Sequence, residues 1–333
     1  MTCQPFFSVL LLNRNGERFL SRCLEALSAQ TYRDFELIVL DNASTDRSLE
    51  IVQTNYPGAQ IVRFETNLGF AIANNRGAAL ARGEWLATLN NDAFPEPGWL
   101  SAMAQAIRAN PEDTFFSSLI IQAQHPECVQ SSGDVLNISG HAWSRDNHTP
   151  LNQACRDFGE VFSPCAAAAV YNRERFLAAG GFDESFVSHH EDIDLGFRLR
   201  LMGCRCLYVP AAVVAHIGSA TYGAESDATV YQVQRNTVWC YFANMPGWLF
   251  WKYLPAHLLA TIFFLAYYTL RGQAKPVWKA KLDAYRELPR ALRQRKRVQT
   301  ARPATVEQIE RALDRQLLSP YLRGRRFSRR ARN

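Results

Sequence analysis

Over its first 120 residues the chain alternates short apolar runs with stretches whose apolar residues recur at helical spacing, and few folds accept that alternation. Ser8–Leu12, Phe35–Leu40, Gln60–Phe64, Trp85–Leu89 and Phe115–Ile121 read as strands, most of them the continuous apolar runs of a sheet covered on both faces. Between them Glu17–Gln30, with Leu20, Cys23, Leu24 and Leu27 along one side, reads as a helix. Thr45–Asn55, Phe70–Ala81 and Pro97–Asn110 do the same. Repeated βαβ units imply an α/β fold with a mostly parallel, Rossmann-like sheet and helices on both faces. Residues 122–160 turn polar and irregular, and a long surface excursion is expected there. Order resumes with Val161–Tyr171 and a helix over Arg173–Ala179. A helix from about Glu191 to Met202 follows the Gly180-Gly181 break, and a last strand, Cys206–Val214, ends near His216.

The remainder is of a different kind. Tyr253–Leu270 carries no charge between Lys252 and Arg271, and Trp248, Trp251, Tyr253, Tyr267 and Tyr268 crowd its ends like interfacial anchors. At ~1.5 Å per residue it reaches roughly 27 Å, marginal against a ~30 Å hydrocarbon core. Residues 271–333 hold 19 Lys/Arg and 5 Asp/Glu, so the net +6 of the chain is a property of this tail; the other residues are net acidic. Within it Trp278, Leu282, Tyr285, Leu288 and Leu292 form an apolar stripe amid Lys and Arg, which suits an anionic membrane surface. Thr305-x-x-Gln308 is a capping box for a final helix expected to run through Leu318. The eight cysteines are scattered without a Cys-x-x-Cys pair, which argues against a zinc module or a disulfide framework. The apolar run Phe6–Leu12 reads as a first strand rather than a secretory signal, and a reducing, cytosolic setting is expected.

Three polar clusters fall where chemistry is placed in open α/β sheets, beyond the carboxyl ends of strands or at a helix start. They are Asp41-Asn42-Ala43-Ser44-Thr45-Asp46, Asn90-Asn91-Asp92 and His189-His190-Glu191-Asp192-Ile193-Asp194. Each alone has a plain reading as a turn or a helix cap; three on one edge make coincidence unattractive. No Gly-x-Gly-x-x-Gly follows the first strand and no Gly-x-x-x-x-Gly-Lys-Ser/Thr occurs, which disfavours a dinucleotide dehydrogenase and excludes a P-loop enzyme. A bound diphosphate would then be neutralised by a divalent metal on carboxylate and imidazole.

Five motifs in order carry a resemblance: Val39-Leu-Asp-Asn-Ala-Ser-Thr-Asp46; Asn67-Leu-Gly-Phe-Ala-Ile-Ala-Asn-Asn-Arg-Gly77; Leu89-Asn-Asn-Asp92 with Pro97-Gly-Trp-Leu100; Gly180-Gly-Phe-Asp-Glu184; and Glu191-Asp-Ile-Asp-Leu-Gly-Phe-Arg198. Over about residues 6–245 the chain resembles family 2 glycosyltransferases, the inverting GT-A type, and within them the rhamnosyltransferase-like branch. The resemblance implies a GT-A catalytic domain over 1–245, with a nucleotide-sugar half (1–120) and an acceptor half (121–245). An apolar membrane-associating helix (246–271) and a basic helical tail (272–333) follow. It places Asp41 on the nucleotide base with Asn13 beside the pocket, and gives Asn67, Gly69, Asn75, Asn90 and Asn91 to the donor side. Asp92 matches the last acid of a metal-binding Asp-x-Asp whose first acid is replaced by Asn90, and His216 matches a metal-ligating imidazole. Asp192 matches the general base, with Glu191 and Asp194 as supporting acids and Arg198 as an ion-pair partner; one of His189 and His190 would face the acceptor.

The implied reaction is a single displacement. Asp192 takes a proton from an acceptor hydroxyl as its oxygen attacks the anomeric carbon opposite the diphosphate, with Mn²⁺ or Mg²⁺ on the departing group. Partners implied are a nucleotide-diphosphate sugar, a glycan or lipid-linked acceptor and an anionic membrane surface; no nucleic acid is implied. A single span through 253–270 would separate the catalytic residues from the basic tail, although both belong on the cytosolic side. A re-entrant or interfacial helix on the cytoplasmic face of the membrane, peripheral or monotopic, is therefore expected. Three other readings stand beside this one, of which a sugar-nucleotide nucleotidyltransferase lacks its Gly-rich, Arg/Lys-containing first loop, since only Arg14-Asn15-Gly16 follows Asn13. A processive synthase would carry Gln-x-x-Arg-Trp, whereas here Gln232-Val-Gln-Arg235 is followed by Asn236. An inactive assembly subunit that keeps the fold would explain Asn90 but not the presence of Asp92, Asp192 and His216.

Overall fold

The computed structural model describes residues 4–218, 226–300, 302–319 and 321, so the expectations for the tail beyond Tyr321 lie outside the described residues. The chain forms two compact units. The first holds the chain up to Asp134, Ser144–Leu199 and the stretch from Cys204 through the last strand; the second holds Val135–Trp143, Arg200–Gly203 and the helices that follow. The helix Asp227–Asn244 falls in the second unit.

The first unit opens with β1 (Phe7–Asn13), α1 (Glu17–Ser28), β2 (Phe35–Asn42), α2 (Ser48–Asn55) and β3 (Gln60–Phe64). It continues with α3 (Gly69–Leu80), β4 (Trp85–Asn90), β5 (Ala93–Pro95), α4 (Trp99–Ala109) and β6 (Phe115–Gln122). The expected helix from Thr45 begins only at Ser48. Asp46 Oδ1 accepts from the Ser48 amide at 3.0 Å while Oδ2 accepts from Glu17 N at 3.0 Å, and this fixes residues 45–47 as a turn between two helix starts. The apolar face of α1 is the expected one: Leu20, Cys23, Leu24 and Leu27 are all buried. Trp99 on α4 is fully buried and donates from Nε1 to Ser118 Oγ at 2.9 Å, so the largest core side chain also has its polar atom satisfied.

Residues 122–160 differ from expectation. They form β7 (His125–Ser131), β8 (Asp134–Leu136), β9 (Ala142–Ser144) and β10 (Gly159–Val161). β8, β9 and β10 have three residues each, too few for an apolar period to show, and pairing partners hold them and the polar β7. β7 runs antiparallel to β6, β10 antiparallel to β12, and β8 pairs with β9. After β10 come β11 (Ala168–Asn172), α5 (Arg173–Ala178), α6 (Glu191–Leu201) and β12 (Cys206–His216).

The main sheet has the order β10-β12-β6-β11-β4-β1-β2-β3, with β5 on β12 and β7 on β6 at its margin. β4, β1, β2 and β3 are mutually parallel. β11 enters antiparallel between β4 and β6, so the sheet is parallel on its first half and mixed on its second. Strand register sets two polar residues in place: Asn13 stands opposite Asp41, and His216 stands opposite Ala93.

The second unit is helical: α7 (Asp227–Asn244), α8 (Gly247–Leu270), α9 (Ala274–Arg286), α10 (Leu288–Thr300) and α11 (Val306–Ala312). Ser226 caps α7 by accepting from the Thr229 amide. The expected capping box is present at Thr305 and Gln308, but α11 stops at Ala312 and not at Leu318. Just past its end Asp314 exchanges backbone hydrogen bonds with Leu136 and Ile138 and so leaves the helical path. α8 is one continuous helix with Pro255 inside it. Leu249, Phe250, Tyr253, His257, Ala260 and Thr261 form its buried side, while Trp248, Trp251, Leu258, Leu259, Ile262 and Leu270 are exposed. On α9 the apolar stripe points outward: Trp278, Leu282 and Tyr285 are exposed, whereas Val277, Ala280, Lys281 and Ala284 are buried. Burial pushes the Lys281 amine down to about 7, and its Nζ donates to the Gln234 carbonyl at 2.9 Å.

Candidate active site

The carboxyl ends of β1, β2 and β4 bring the first cluster together. Asn13, buried at the end of β1, donates from Nδ2 to Asp41 Oδ1 at 3.3 Å and to Ser44 Oγ at 3.1 Å. Its Oδ1 accepts from Asn91 Nδ2 at 2.7 Å. Asn13 therefore ties the ends of all three strands into one polar floor, and Asp41 at that floor is fully buried. Gly16 follows one turn on, and any side chain there would collide with the Asn13 and Asn91 amides. Ala43 takes a left-handed conformation (φ 60°) that turns the chain so that the Ser44 amide faces Asp41 Oδ2 at 3.4 Å.

Asn42, to which the sequence motifs assign no role, organises the neighbouring loop. Its Nδ2 donates to Asn67 Oδ1 at 2.8 Å and its Oδ1 accepts from the Leu68 amide at 2.7 Å. Asn67 Oδ1 also accepts from Gly69 N at 3.1 Å, and Gly69 is held at φ 77°. Asn75, expected on the donor side, spends its amide on the chain itself. It accepts from Phe182 N and donates to Phe182 O, both at 2.8 Å, with a longer bond to Glu184 at 3.3 Å. It pins α3 to the loop after Gly180-Gly181. A Cβ on Gly181 (φ 65°) would stand 2.3 Å from Asn75 Oδ1. Asn90 is half-buried at the end of β4, and its amide donates to the Ala167 carbonyl at 3.1 Å.

Asp92 and His216 meet because β5 pairs antiparallel with β12. Asp92 Oδ1 lies 3.1 Å from His216 Nε2, and both residues are buried. On the far side of the ring Nδ1 is 3.0 Å from the Gln130 amide of β7. The orientation of that amide decides the tautomer. With Gln130 turned so that its oxygen accepts from Nδ1–H, the oxygen now buried without a partner is satisfied and the Nε2 lone pair is freed toward Asp92. Two cis ligands of an octahedral cation at about 2.1 Å each stand about 3 Å apart, so the Asp92–His216 separation fits a divalent metal. No group of three or more His, Cys, Asp or Glu is gathered for a metal among the described residues. This pair would leave the remaining positions to ligand oxygens and water.

The third cluster opens α6. His189 and His190, immediately before it, both adopt left-handed backbone conformations (φ 62° and 70°), an expensive pair for residues with a Cβ. The Asp192 carboxylate accepts from its neighbour's amide, Ile193 N, at 2.9 Å and from Ala166 N at 3.3 Å. Burial nevertheless raises its proton affinity above the ordinary carboxylate range. Burial and the Asp192 charge push Glu191 up to about 8, and its Oε2 has no hydrogen-bond partner. Asp134 of β8, which the sequence did not single out, is buried and accepts from Ser144 Oγ at 3.0 Å. Burial and the Asp192 charge hold it well above its usual value. Burial, and after it the Asp134 and Asp192 charges, hold the Cys165 thiol well above its ordinary value. Asp192, Glu191 and Asp134 are thus three carboxyls whose proton affinities are all raised by burial, and at Glu191 and Asp134 in part by the Asp192 charge. Asp194 and Arg198 form a buried ion pair one helical turn apart, with Arg198 Nε and Nη2 at 2.8 and 2.7 Å from Asp194 Oδ2. Arg198 Nη1 also donates to Ala179 O at 2.6 Å and closes the end of α5.

Residues 8–176 match the family described as glycosyl transferase family 2. The N-acetylglucosaminyl-diphospho-decaprenol L-rhamnosyltransferase of Mycobacterium tuberculosis is 27% identical over 255 residues, which is 69% of this chain and 81% of that protein. The O-antigen biosynthesis protein RfbC of Myxococcus xanthus is 26% identical over 77% of this chain but only 20% of its own length. Among solved structures, GalNAc-T7 with UDP, GalNAc and Mn²⁺ superposes with a TM-score of 0.58 at 18% identity, over 73% of this chain and 48% of that one. S. aureus TarS superposes with a TM-score of 0.56, also at 18% identity, over 89% of this chain and 82% of that one. At such identities the likeness establishes the fold, while the family match runs from β1 through β11. The chain belongs to glycosyl transferase family 2 and is a glycosyltransferase, similar to the rhamnosyltransferases of that family.

Proposed function

We propose that this glycosyltransferase moves a sugar, with rhamnose the first candidate, from a nucleotide-diphosphate donor to a hydroxyl of a lipid-linked or polysaccharide acceptor, with inversion. The observation that carries the reading is the convergence on one sheet edge of the Asn13–Asp41 floor, the Asp92–His216 pair and Asp192. Asp41 and Asn13 hold the nucleotide base, and Asn67, Gly69, Asn90 and Asn91 border the donor. Asn75 positions that border through the loop after Gly181. Asp92 and His216 would hold Mn²⁺ or Mg²⁺, which when bound offsets charge on the diphosphate. Relatives of the fold have been solved with Mn²⁺, GalNAc-T7 and a Pyrobaculum calidifontis mannosyltransferase with GDP-Man among them.

Asp192 removes the proton of the attacking hydroxyl, a contribution of ~10²–10⁴-fold in rate. Its two backbone donors, Ile193 N and Ala166 N, favour the ionised form and hold the carboxylate in place. Asp194 and Arg198 position α6 rather than touch substrate. The residues up to about 245 carry the donor and acceptor halves. Residues 246–271 associate with the membrane, and the basic tail lies on its cytoplasmic face. The outward apolar faces of α8 and α9 support a peripheral or monotopic placement, with α8 lying in the interface and not crossing it. The mycobacterial relative, named for a decaprenol-linked substrate, supports a lipid-linked acceptor.

Calorimetric titration of UDP, dTDP and GDP, with and without Mn²⁺ or Mg²⁺, tests the reading. One nucleotide is expected to bind in a metal-dependent way, and Asp92→Ala is expected to abolish that dependence. If no nucleotide binds under any metal, the transferase reading gives way to an inactive subunit.

A further inference from the structure

At the start of α8 a cavity of about 470 Å³ is lined by Gly247, Leu292, Arg295, Lys296, Gln299, Thr300 and Arg302. Three of these side chains are cations and none is an acid. The whole of α10 carries Arg290, Arg293, Arg295, Lys296 and Arg297 without a single carboxylate. Arg295 is built in: Nη1 donates to the Met245 and Phe242 carbonyls, and the guanidinium lies 4.6 Å from the centre of the Phe250 ring. Gln299 is likewise anchored to the Asn244 carbonyl at 3.0 Å. Arg302 Nη1 is buried without a hydrogen-bond partner, and Lys296 has no ion pair among the described residues. Arg302 is near enough to Arg295 for its charge to lower that guanidinium's proton affinity. Two like charges held together, one of them with a buried donor left unsatisfied, leave room for an anion. The same end of α8 has no side-chain cap and no acid in its first turn, so the positive pole of the helix adds to the field.

What stands beside the cavity indicates where the anion comes from. Leu292 on its wall is 47% exposed, and Trp248 and Trp251, just beyond Gly247 at the start of α8, are 46% and 71% exposed. A soluble phosphate has no use for bare tryptophans, whereas a headgroup at a bilayer surface brings an acyl layer to cover them. We propose that this cavity binds the phosphate of an anionic lipid headgroup, held by Arg295, Lys296 and Arg302, with Trp248, Trp251 and Leu292 entering the acyl layer. The inference rests on the membrane-surface placement of α8 and α9 and adds a defined site to it.

The test uses the full chain and vesicles of phosphatidylcholine with or without phosphatidic acid. The double variant K296Q/R302Q is compared with K275Q/R286Q, which removes two exposed cations of α9 outside the cavity. Wild type is expected to prefer the phosphatidic acid vesicles, and K296Q/R302Q to lose at least tenfold more of that preference than K275Q/R286Q. Both variants should bind nucleotide as wild type does. Equal losses in the two variants would overturn the site and leave only diffuse attraction. So would tight binding of glycerol 3-phosphate without vesicles, which marks a soluble ligand, or displacement of vesicles by polyadenylate, which marks nucleic acid. If wild type binds no vesicle at all, the membrane placement itself fails and the site with it, while nucleotide binding keeps the transferase reading standing.

Discussion

Glu191→Gln tests the electrostatics around the proposed base without touching its geometry. In the folded chain Glu191 keeps its proton up to about 8, because burial and the Asp192 charge oppose ionisation. In the unfolded chain the carboxyl ionises near its ordinary value of 4.5. Between those two values the native state binds the additional proton, so stability falls as pH rises through the window and levels off above it. One proton is worth about 1.4 kcal/mol per pH unit, so this residue alone removes about 2–3 kcal/mol between pH 6 and pH 8. Glutamine fills the same volume and cannot ionise. Because Glu191 Oε2 has no partner, the amide forfeits no bond there. Urea unfolding of wild type and variant at pH 6, 7 and 8 measures the difference. The wild-type curve is expected to descend and the variant curve to descend less, since Asp134 and Asp192 carry the same sign. Parallel curves would falsify the assignment, meaning that Glu191 is already ionised in the fold. Activity at pH 7 should survive the substitution, since the residue is neutral there.

Asp192→Asn should leave the fold intact and lower kcat/KM by ~10²–10⁴-fold; a loss under tenfold with the correct acceptor would remove Asp192 from the role of base. Gly181→Ala must occupy a left-handed conformation and displace Asn75 from its two bonds to Phe182. A cost of about 2–4 kcal/mol follows, read as a lower urea midpoint. A neutral result would mean that the loop has another conformation. Gln130→Leu removes the group that orients His216 and should weaken Mn²⁺-dependent nucleotide binding about 10–100-fold, with nucleotide binding in chelator unchanged. Equal losses with and without metal would show that Gln130 supports the fold instead.

The legible part of this chain was the part where local pattern and burial agree. Leu20, Cys23, Leu24 and Leu27 recur at helical spacing and all face the core, and the central parallel strand β1 is apolar from Val9 to Leu12 because both sheet faces are covered there. Asp41, Asp92 and Asp192, which we propose for the site, stood out for a different reason: each alone reads as a turn or a helix cap, but three such clusters in one α/β chain do not need one another for that. Gln130 and Asp134 escaped because β7 is polar and β8 has only three residues, and the order of both comes from distant partners, His216 and the residues around Ser163. No local period announces them. The bonds of Asn75 were not legible either, because its amide serves the backbone of a loop more than a hundred residues on. The apolar stripe of α9 faces outward as a surface-binding stripe should, but its division into two helices, one ending at Arg286 and the next starting at Leu288, was not legible, since the apolar period runs on across the break.

The two histidines ahead of α6 bear on how the enzyme wears out. His189 and His190 hold the chain in left-handed turns that cost on the order of 1–3 kcal/mol each, and the first helical turn after them aims the Asp192 carboxylate. A segment that begins uphill needs less heat to let go than the sheet behind it. Warming should therefore silence transfer several degrees before the circular dichroism of the chain begins to change, and brief cooling should restore it. For the cell, the first casualty of heat stress would be catalysis, with the folded protein still in place to recover.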